Sequence, residues 1–348
     1  MKTKQLYLGS VIGLVLIGVL SILINAGVFK NIQPVGTEIC SVVKGVVGAE
    51  DISFIPGTNH AFISSYDRRV EVADPSLQIA GAIYLYNLDD ASLIKVSPEM
   101  GDFKPHGISI YNGENGEMRL FVVDHANGQH QIQIFEYSEN KLTLVRTVKS
   151  DQIISPNDVV AVGPNQFYVT NDHGFVDGIM RKLEDYLMLP FSNVIYFDGI
   201  STKEVESGIN YSNGININQA GDQLYLASVS SLNLYVYDRD TETNELSLTN
   251  KINTGTGIDN IEVDVNGDLW LGAHPQLLKF VSHAKSELNR SPSEILKIKA
   301  SDGSFDIETI YRSVGDPLSG SSVAAVKGNR MLVGGVFDPL MLDCSLGH

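Results

Sequence analysis

The sequence predicts an all-β fold, a six-bladed β-propeller preceded by an N-terminal signal-anchor helix. Three observations predict it. Short runs rich in Val, Ile, Tyr, Phe and Leu recur between Gly, Asn and Asp turns, while long amphipathic helical patterns are scarce. One unit repeats six times: a polar pair, an apolar strand, a tight turn and a second apolar strand. The chain's 2 cysteines stand near its two ends.

The first element is the anchor. Lys2 and Lys4 precede an uncharged apolar run from Leu6 to Ile24, long enough to cross a hydrocarbon core as a helix. No clear small-residue cleavage site follows it, although Asn25-Ala26-Gly27 leaves processing open. Positive charge ahead of the span places the rest of the chain outside the cytoplasm, membrane-anchored, or secreted if the segment is cleaved. The organisation expected is therefore a signal-anchor over residues 1–30 and one propeller domain over 31–348.

The repeats come next. They read Glu50-Asp51-Ile52-Ser53-Phe54-Ile55 with Ala61-Phe62-Ile63, and Pro105-His106-Gly107-Ile108-Ser109-Ile110 with Leu120-Phe121-Val122-Val123. Asn157-Asp158-Val159-Val160 pairs with Gln166-Phe167-Tyr168-Val169, and Asn213-Gly214-Ile215-Asn216-Ile217 with Gln223-Leu224-Tyr225-Leu226. Asp259-Asn260-Ile261-Glu262-Val263 pairs with Asp268-Leu269-Trp270-Leu271, and Ser321-Ser322-Val323-Ala324 with Arg330-Met331-Leu332-Val333. The spacing, roughly 46 to 62 residues, is that of a four-stranded blade with variable loops. Further strands such as Ile132–Tyr137 and Leu234–Tyr237 complete the blades. A sandwich needs no such repeat.

A propeller has one weak seam, where the chain's ends meet. Cys40 and Cys344 flank it, and an oxidising compartment lets them pair as a staple. The patterns Asn210-Tyr-Ser and Asn289-Arg-Ser match glycosylation acceptors in such a compartment. A hydrophobic fraction of 43% supports a sizeable core, and a net charge of -16 argues against a nucleic-acid partner.

Inner strands line a propeller's axial channel, so equivalent positions of the six units converge. That ring reads Glu50, His106, Asn157, Asn213, Asp259 with Asn260, and Ser321 with Ser322. Many oxygen donors with no thiolate suit calcium better than zinc. Glu50 and Asp259 neutralise a divalent ion, and Asn157, Asn213 and Asn260 add neutral carbonyl oxygens. Asp51 and Asp158, facing the other way along their strands, could hold a second, deeper ion. Individually each such residue reads as a turn or strand-end cap. Their convergence favours a metal, since clustered carboxylates are costly to bury without a cation.

On these residues the chain resembles the paraoxonase/arylesterase family from Cys40 to Cys344. The agreement runs through Gly48-Ala-Glu-Asp, Pro105-His-Gly-Ile-Ser, Asn157-Asp-Val-Val-Ala-Val-Gly-Pro and Thr170-Asn-Asp-His. It continues through Ser212-Asn-Gly-Ile-Asn-Ile, Asp259-Asn-Ile, Gly267-Asp-Leu-Trp and Gly320-Ser-Ser-Val-Ala-Ala-Val. The resemblance implies two calcium ions: a catalytic one on Glu50, Asn157, Asn213, Asp259 and Asn260, and a structural one on Asp51, Asp158 and the backbone carbonyl of Ile108. It also implies a catalytic histidine pair, His106 and His125. His173 and His274 lie in family-like stretches, with a structural role favoured for each.

Departures from the pattern bear on substrates. Ala273 stands where mammalian members have a free cysteine, and Tyr66-Asp-Arg-Arg differs from their active-site loop. The stretch Ile179–Leu189 reads as a short amphipathic helix at the channel mouth or a surface helix packed on the propeller. The function implied is calcium-dependent hydrolysis of small hydrophobic lactones and aryl esters. The alternatives are a sugar-lactone hydrolase of the gluconolactonase-like group and a non-catalytic propeller scaffold.

Overall fold

The computed structural model describes residues 2–347 other than 75, 78, 114, 115, 302 and 303, without the side chains of 2–9, 11, 12, 72 and 301. The alternating apolar runs form six four-stranded antiparallel sheets. Blade 1 is β2 (Ala49–Phe54), β3 (His60–Ser65), β4 (Ala82–Asn87) and β5 (Leu93–Lys95). Blade 2 is β6 (Pro105–Asn112), β7 (Met118–Asp124), β8 (Gln131–Ser138) and β9 (Lys141–Val148). Blade 3 is β10 (Pro156–Gly163), β11 (Gln166–Asn171), β12 (Ser192–Phe197) and β13 (Thr202–Ile209). Blade 4 is β14 (Ser212–Ile217), β15 (Gln223–Ser228), β16 (Asn233–Arg239) and β17 (Leu246–Asn253). Blade 5 is β18 (Gly257–Val263), β19 (Leu269–His274), β20 (Ser293–Ser301) and β21 (Ser304–Ser313). Blade 6 joins β22 (Ser321–Lys327), β23 (Arg330–Gly335) and β24 (Leu340–Ser345) to the N-terminal β1 (Cys40–Lys44).

Blade 6 thus closes the ring with a strand from each end of the chain. Cys40 pairs with Cys344 in the β1–β24 register, and the two are disulfide-bonded as the sequence predicted.

Apolar side chains of neighbouring blades mesh in separate clusters. Phe121, Ile134, Phe167 and Val169 fill the seam between blades 2 and 3, and Val160, Tyr168, Leu226 and Tyr237 that between blades 3 and 4. Similar clusters occupy the other interfaces, so each blade buries both faces. Fully burying one such side chain contributes about 1.5–3 kcal/mol.

Glycines set how closely the blades approach. A Cβ on Gly107 would lie 2.3 Å from Asp158 Oδ1, and one on Gly214 would lie 2.5 Å from the Asp259 carbonyl oxygen. On Gly272 it would meet the Ser322 backbone at 2.1 Å, and on Gly334 the Ala49 carbonyl at 2.0 Å. At each of these contacts a missing side chain lets backbone from the next inner strand pass.

Every inner strand is also irregular at the same place. The register slips between Ala49 and Asp51, Pro105 and Ile108, Pro156 and Val159, Ser212 and Ile215, Ile258 and Ile261, and Ser321 and Val323. These slips coincide with the polar pairs of the repeat. Such bulges break strict alternation and re-aim consecutive side chains.

Outside the blades lie α1 (Lys2–Asn25), α2 (Arg68–Ala73), α3 (Gly178–Leu187) and α4 (Leu277–Lys285). The span expected over Leu6 to Ile24 falls within α1, but the side chains of 6–9, 11 and 12 lie outside the described residues. Among the described residues no helix is long and apolar enough to cross a membrane. The predicted membrane anchor is therefore not supported. The C-terminal end of α1 leads into a dock on the propeller, where Ala26 packs with Val229 and Leu277 and accepts the Leu277 N–H at 3.0 Å.

Candidate active site

The bulges deliver their polar pairs to the ring of inner strands, where they are buried. Glu50, Asn157, Asn213, Asp259 and Asn260 are each at most 4% exposed. The Asn260 amide donates to Glu50 Oε1 at 2.9 Å and to the Glu50 carbonyl at 3.1 Å, tying blade 5 to blade 1. The Ser322 hydroxyl donates to the same carbonyl at 2.6 Å. Asp259 Oδ2 meets His274 Nε2 at 2.7 Å.

Four acceptors of this set have no protein partner: Glu50 Oε2, Asn157 Oδ1, Asn213 Oδ1 and Asn260 Oδ1. A buried polar atom without a partner costs about 1–3 kcal/mol. All four belong to one set of inner-strand residues, and all are oxygens. Among the described residues no group of three or more His, Cys, Asp or Glu is placed to hold a metal. The set here draws three of its oxygens from asparagine instead, a donor chemistry suited to a hard cation.

Asp51 and Asp158 bridge neighbouring inner strands. Asp51 accepts the N–H groups of Ile52 at 2.9 Å and Ile108 at 2.7 Å. Asp158 accepts those of Val159 at 2.7 Å and Ile215 at 2.8 Å. Burial pushes the Asp51 carboxyl well above the usual range, and the Glu50 charge adds to it. Burial does the same to Asp158, aided by the Asp51 charge. Asp259 is raised by burial, against the pull of His274. Burial opposes ionisation of Glu50 as well, yet His106, Arg68 and Asn260 hold its pKa below the usual value. Glu262, two residues along β18 from Asn260, is pushed well up by burial and by Asp51. The channel therefore holds more carboxylate than its own residues neutralise.

His106 Nε2 stands 3.5 Å from Glu50 Oε1. Its Nδ1 lies 3.0 Å from His125 Nε2, so the two expected histidines do meet. His125 follows β7 directly and is half-buried. Burial, reinforced by His106 and His130, takes its pKa well below the usual imidazole value. His125 Nδ1 in turn lies 2.9 Å from His130 Nδ1.

A family model described as Arylesterase matches residues 31–346. The chain belongs to the arylesterase family. It is 35% identical to serum paraoxonase/arylesterase 2 of Gallus gallus over 319 residues, covering 88% of this chain and 89% of that one. It is 32% identical to serum paraoxonase/arylesterase 1 of Homo sapiens over 320 residues, with the same coverage. Among solved structures, a luciferin-regenerating enzyme matches with a TM-score of 0.56 at 14% identity, covering 91% of this chain and 96% of that one. Regucalcin, a calcium-binding protein from Agrobacterium tumefaciens, matches with a TM-score of 0.54 at 13% identity, covering 90% and 93%. At such identities these two show the shared fold.

Other residues surround the ring. Arg68, in the segment where sequence signalled a departure, donates to the Pro105 carbonyl at 3.3 Å, beside His106. Burial lowers its pKa while the Glu50 charge opposes this. Nothing in the sequence placed Arg68 at the ring, because its position depends on the turn from β3 into α2. His274 stacks on Phe280 of α4 at 3.7 Å, and His173 is pinned between Asp172 and Asp185. Ala273 is fully buried in β19. The helix expected over Ile179–Leu189 is α3, with Ile179 and Tyr186 more than 70% exposed. His130 escaped the sequence reading, and its spacing of five from His125 was the one signal for it.

Proposed function

We propose that this chain is a calcium-dependent hydrolase of small hydrophobic lactones and aryl esters, acting outside the cytoplasm. The observation that carries the reading is the set of partnerless buried oxygens on Glu50, Asn157, Asn213 and Asn260. With Asp259 they would hold a catalytic calcium ion. Asp51, Asp158 and the Ile108 carbonyl would hold a second, structural one. Bound calcium supplies a Lewis acid that polarises the substrate carbonyl and steadies charge developing on its oxygen.

The chain's own groups do the rest. His106 accepts a proton from the attacking water, and His125, hydrogen-bonded to its other nitrogen, orients the ring and takes the proton onward. Burial disfavours a charged His125, so it takes the His106 proton only as it gives up its own. The names of the relatives support ester substrates. The disulfide supports an oxidising, extracytoplasmic location.

The test is an assay of the purified full chain on phenyl acetate, aliphatic lactones, acyl-homoserine lactones and sugar lactones, with and without chelator. Calcium binding is followed in parallel by calorimetry. Calcium-dependent turnover of lactones or aryl esters is expected. Binding without turnover of any substrate would make the propeller a scaffold, and a preference for sugar lactones would change the substrate class.

A further inference from the structure

The geometry points to His130 as a third member of the proton path, accepting from His125 and releasing to solvent. This rests on the proposed roles of His106 and His125, and extends them outward. The two contacts form one chain: His106 Nδ1 to His125 Nε2 at 3.0 Å, then His125 Nδ1 to His130 Nδ1 at 2.9 Å.

The chain has a consistent proton count. With every ring neutral, His106 donates from Nδ1 to His125 Nε2, His125 donates from Nδ1 to His130 Nδ1, and His130 carries its hydrogen on Nε2. When His106 gains a proton on Nε2, one hydrogen moves along each link in the same direction. His130 then loses its Nε2 hydrogen to water or buffer, and each ring turns over to restore its starting tautomer, which frees His106 Nε2 for the next cycle. Ester hydrolysis near neutrality releases one proton per turnover, because the acid product ionises. A proton left on the channel histidine would block the next cycle.

The groups around the two rings set the direction. His125 is half-buried, and desolvation with the His106 and His130 rings beside it disfavours its imidazolium, so it passes a proton rather than storing it. His130 is likewise half-buried. Burial lowers its pKa too, but the neighbouring Asp172 charge opposes this. Asp172 stays ionised: burial works against it, yet hydrogen bonds from His173 and Ser155 bring its pKa to about 2.

The loop between the two histidines is built to hold this arrangement. Asp124, fully buried at the end of β7, accepts the Ala126 N–H at 3.1 Å and the Lys104 N–H at 3.0 Å through Oδ1. Its Oδ2 takes the Gln131 and Gln133 amides at 2.7 and 2.9 Å. One carboxylate thereby fixes the chain just after His125 and just after His130. Asn127 and Gly128, at φ 55° and 65°, make the tight return that brings the rings together.

The test compares wild type, H130A, H130Q and H125A as calcium-saturated full-length protein, with phenyl acetate as substrate in weak buffer and increasing imidazole. H130A and H130Q are expected to lose kcat by about tenfold with KM unchanged, and added imidazole to restore H130A while leaving wild type unaffected. Wild-type kcat for H130A in weak buffer, alongside an impaired H125A, would overturn the role of His130 alone. Loss in the His130 variants without imidazole rescue would also overturn it, as a structural effect. A fully active H125A would instead remove the histidine-pair reading beneath it.

Discussion

Cys40 and Cys344 are separated by 304 residues in sequence, face each other across the β1–β24 pair and are joined by a disulfide. Blade 6 is assembled from both ends of the chain, so this bond covers the seam at which the ring could open. In the chain-entropy view, linking residues this far apart removes roughly 6 kcal/mol of disorder from the unfolded state. The double variant C40S/C344S is expected to unfold at clearly lower urea concentration while its assembled site keeps kcat. Matching urea midpoints for wild type and variant would show that the strand pairing alone holds the seam.

The pairing of Asp51 with Asp158 supports a second prediction. Both are buried and pushed upward in pKa by that burial, with the Glu50 charge adding to it at Asp51 and the Asp51 charge at Asp158. Without a cation this pair is a liability, and with one it is a ligand set. Asp158→Asn should lose much of the thermal stabilisation that calcium gives wild type. A ligand at about 100 times its Kd contributes about 2.7 kcal/mol. In chelator the variant should be at least as stable as wild type. Equal calcium-induced shifts in the two proteins would separate Asp158 from calcium.

The repeat made the propeller legible, because each unit carries its own strand, turn and strand. The ring positions followed, since period alone brings equivalent residues to one axis. Three features were hidden for physical reasons. The bulges at Glu50, Asn157 and their counterparts break the strict alternation by which Asp51 and Asp158 were read as facing away. Arg68 and His130 reach the site from loops whose course depends on tertiary hydrogen bonds, such as those made by Asp124. The N-terminal segment is apolar enough in sequence to suggest a span, yet membrane anchoring finds no support among the described residues.

Blade spacing near the site depends on absent side chains. Gly107→Ala would set a methyl group 2.3 Å from Asp158 Oδ1 and 2.5 Å from its Cα, in backbone that has little room to yield. Overpacking of this kind costs about 1–3 kcal/mol. The strain falls directly on a proposed calcium ligand. Calcium-dependent activity is expected to drop further than thermal stability would explain, measured as kcat/KM at saturating calcium well below the variant's melting temperature. An unchanged kcat/KM would show that the strand shifts freely.

His173 offers a stability test that does not involve the proposed metal ligands. It is 2% exposed, with Nδ1 2.6 Å from Asp172 Oδ1 and Nε2 2.8 Å from Asp185 Oδ1 on α3. Burial alone would lower its pKa, but the hydrogen bond and charge of Asp172, with Asp185, raise it above 6.5. The folded protein therefore keeps this proton to higher pH than the unfolded chain. Its contribution is complete below about pH 6.5 and is lost as pH rises through the folded value. Asp172 behaves oppositely: its pKa falls from 3.8 to about 2, so its contribution is present above 3.8 and lost as pH falls through about 2. The pair is thus worth most between roughly pH 4 and 6.5. H173Q should be less stable than wild type at pH 6, and the gap should narrow as the pH is raised toward 9. Urea unfolding in calcium at several pH values reads this directly. A gap that stays constant across the series would mean that His173 is already neutral in the folded protein.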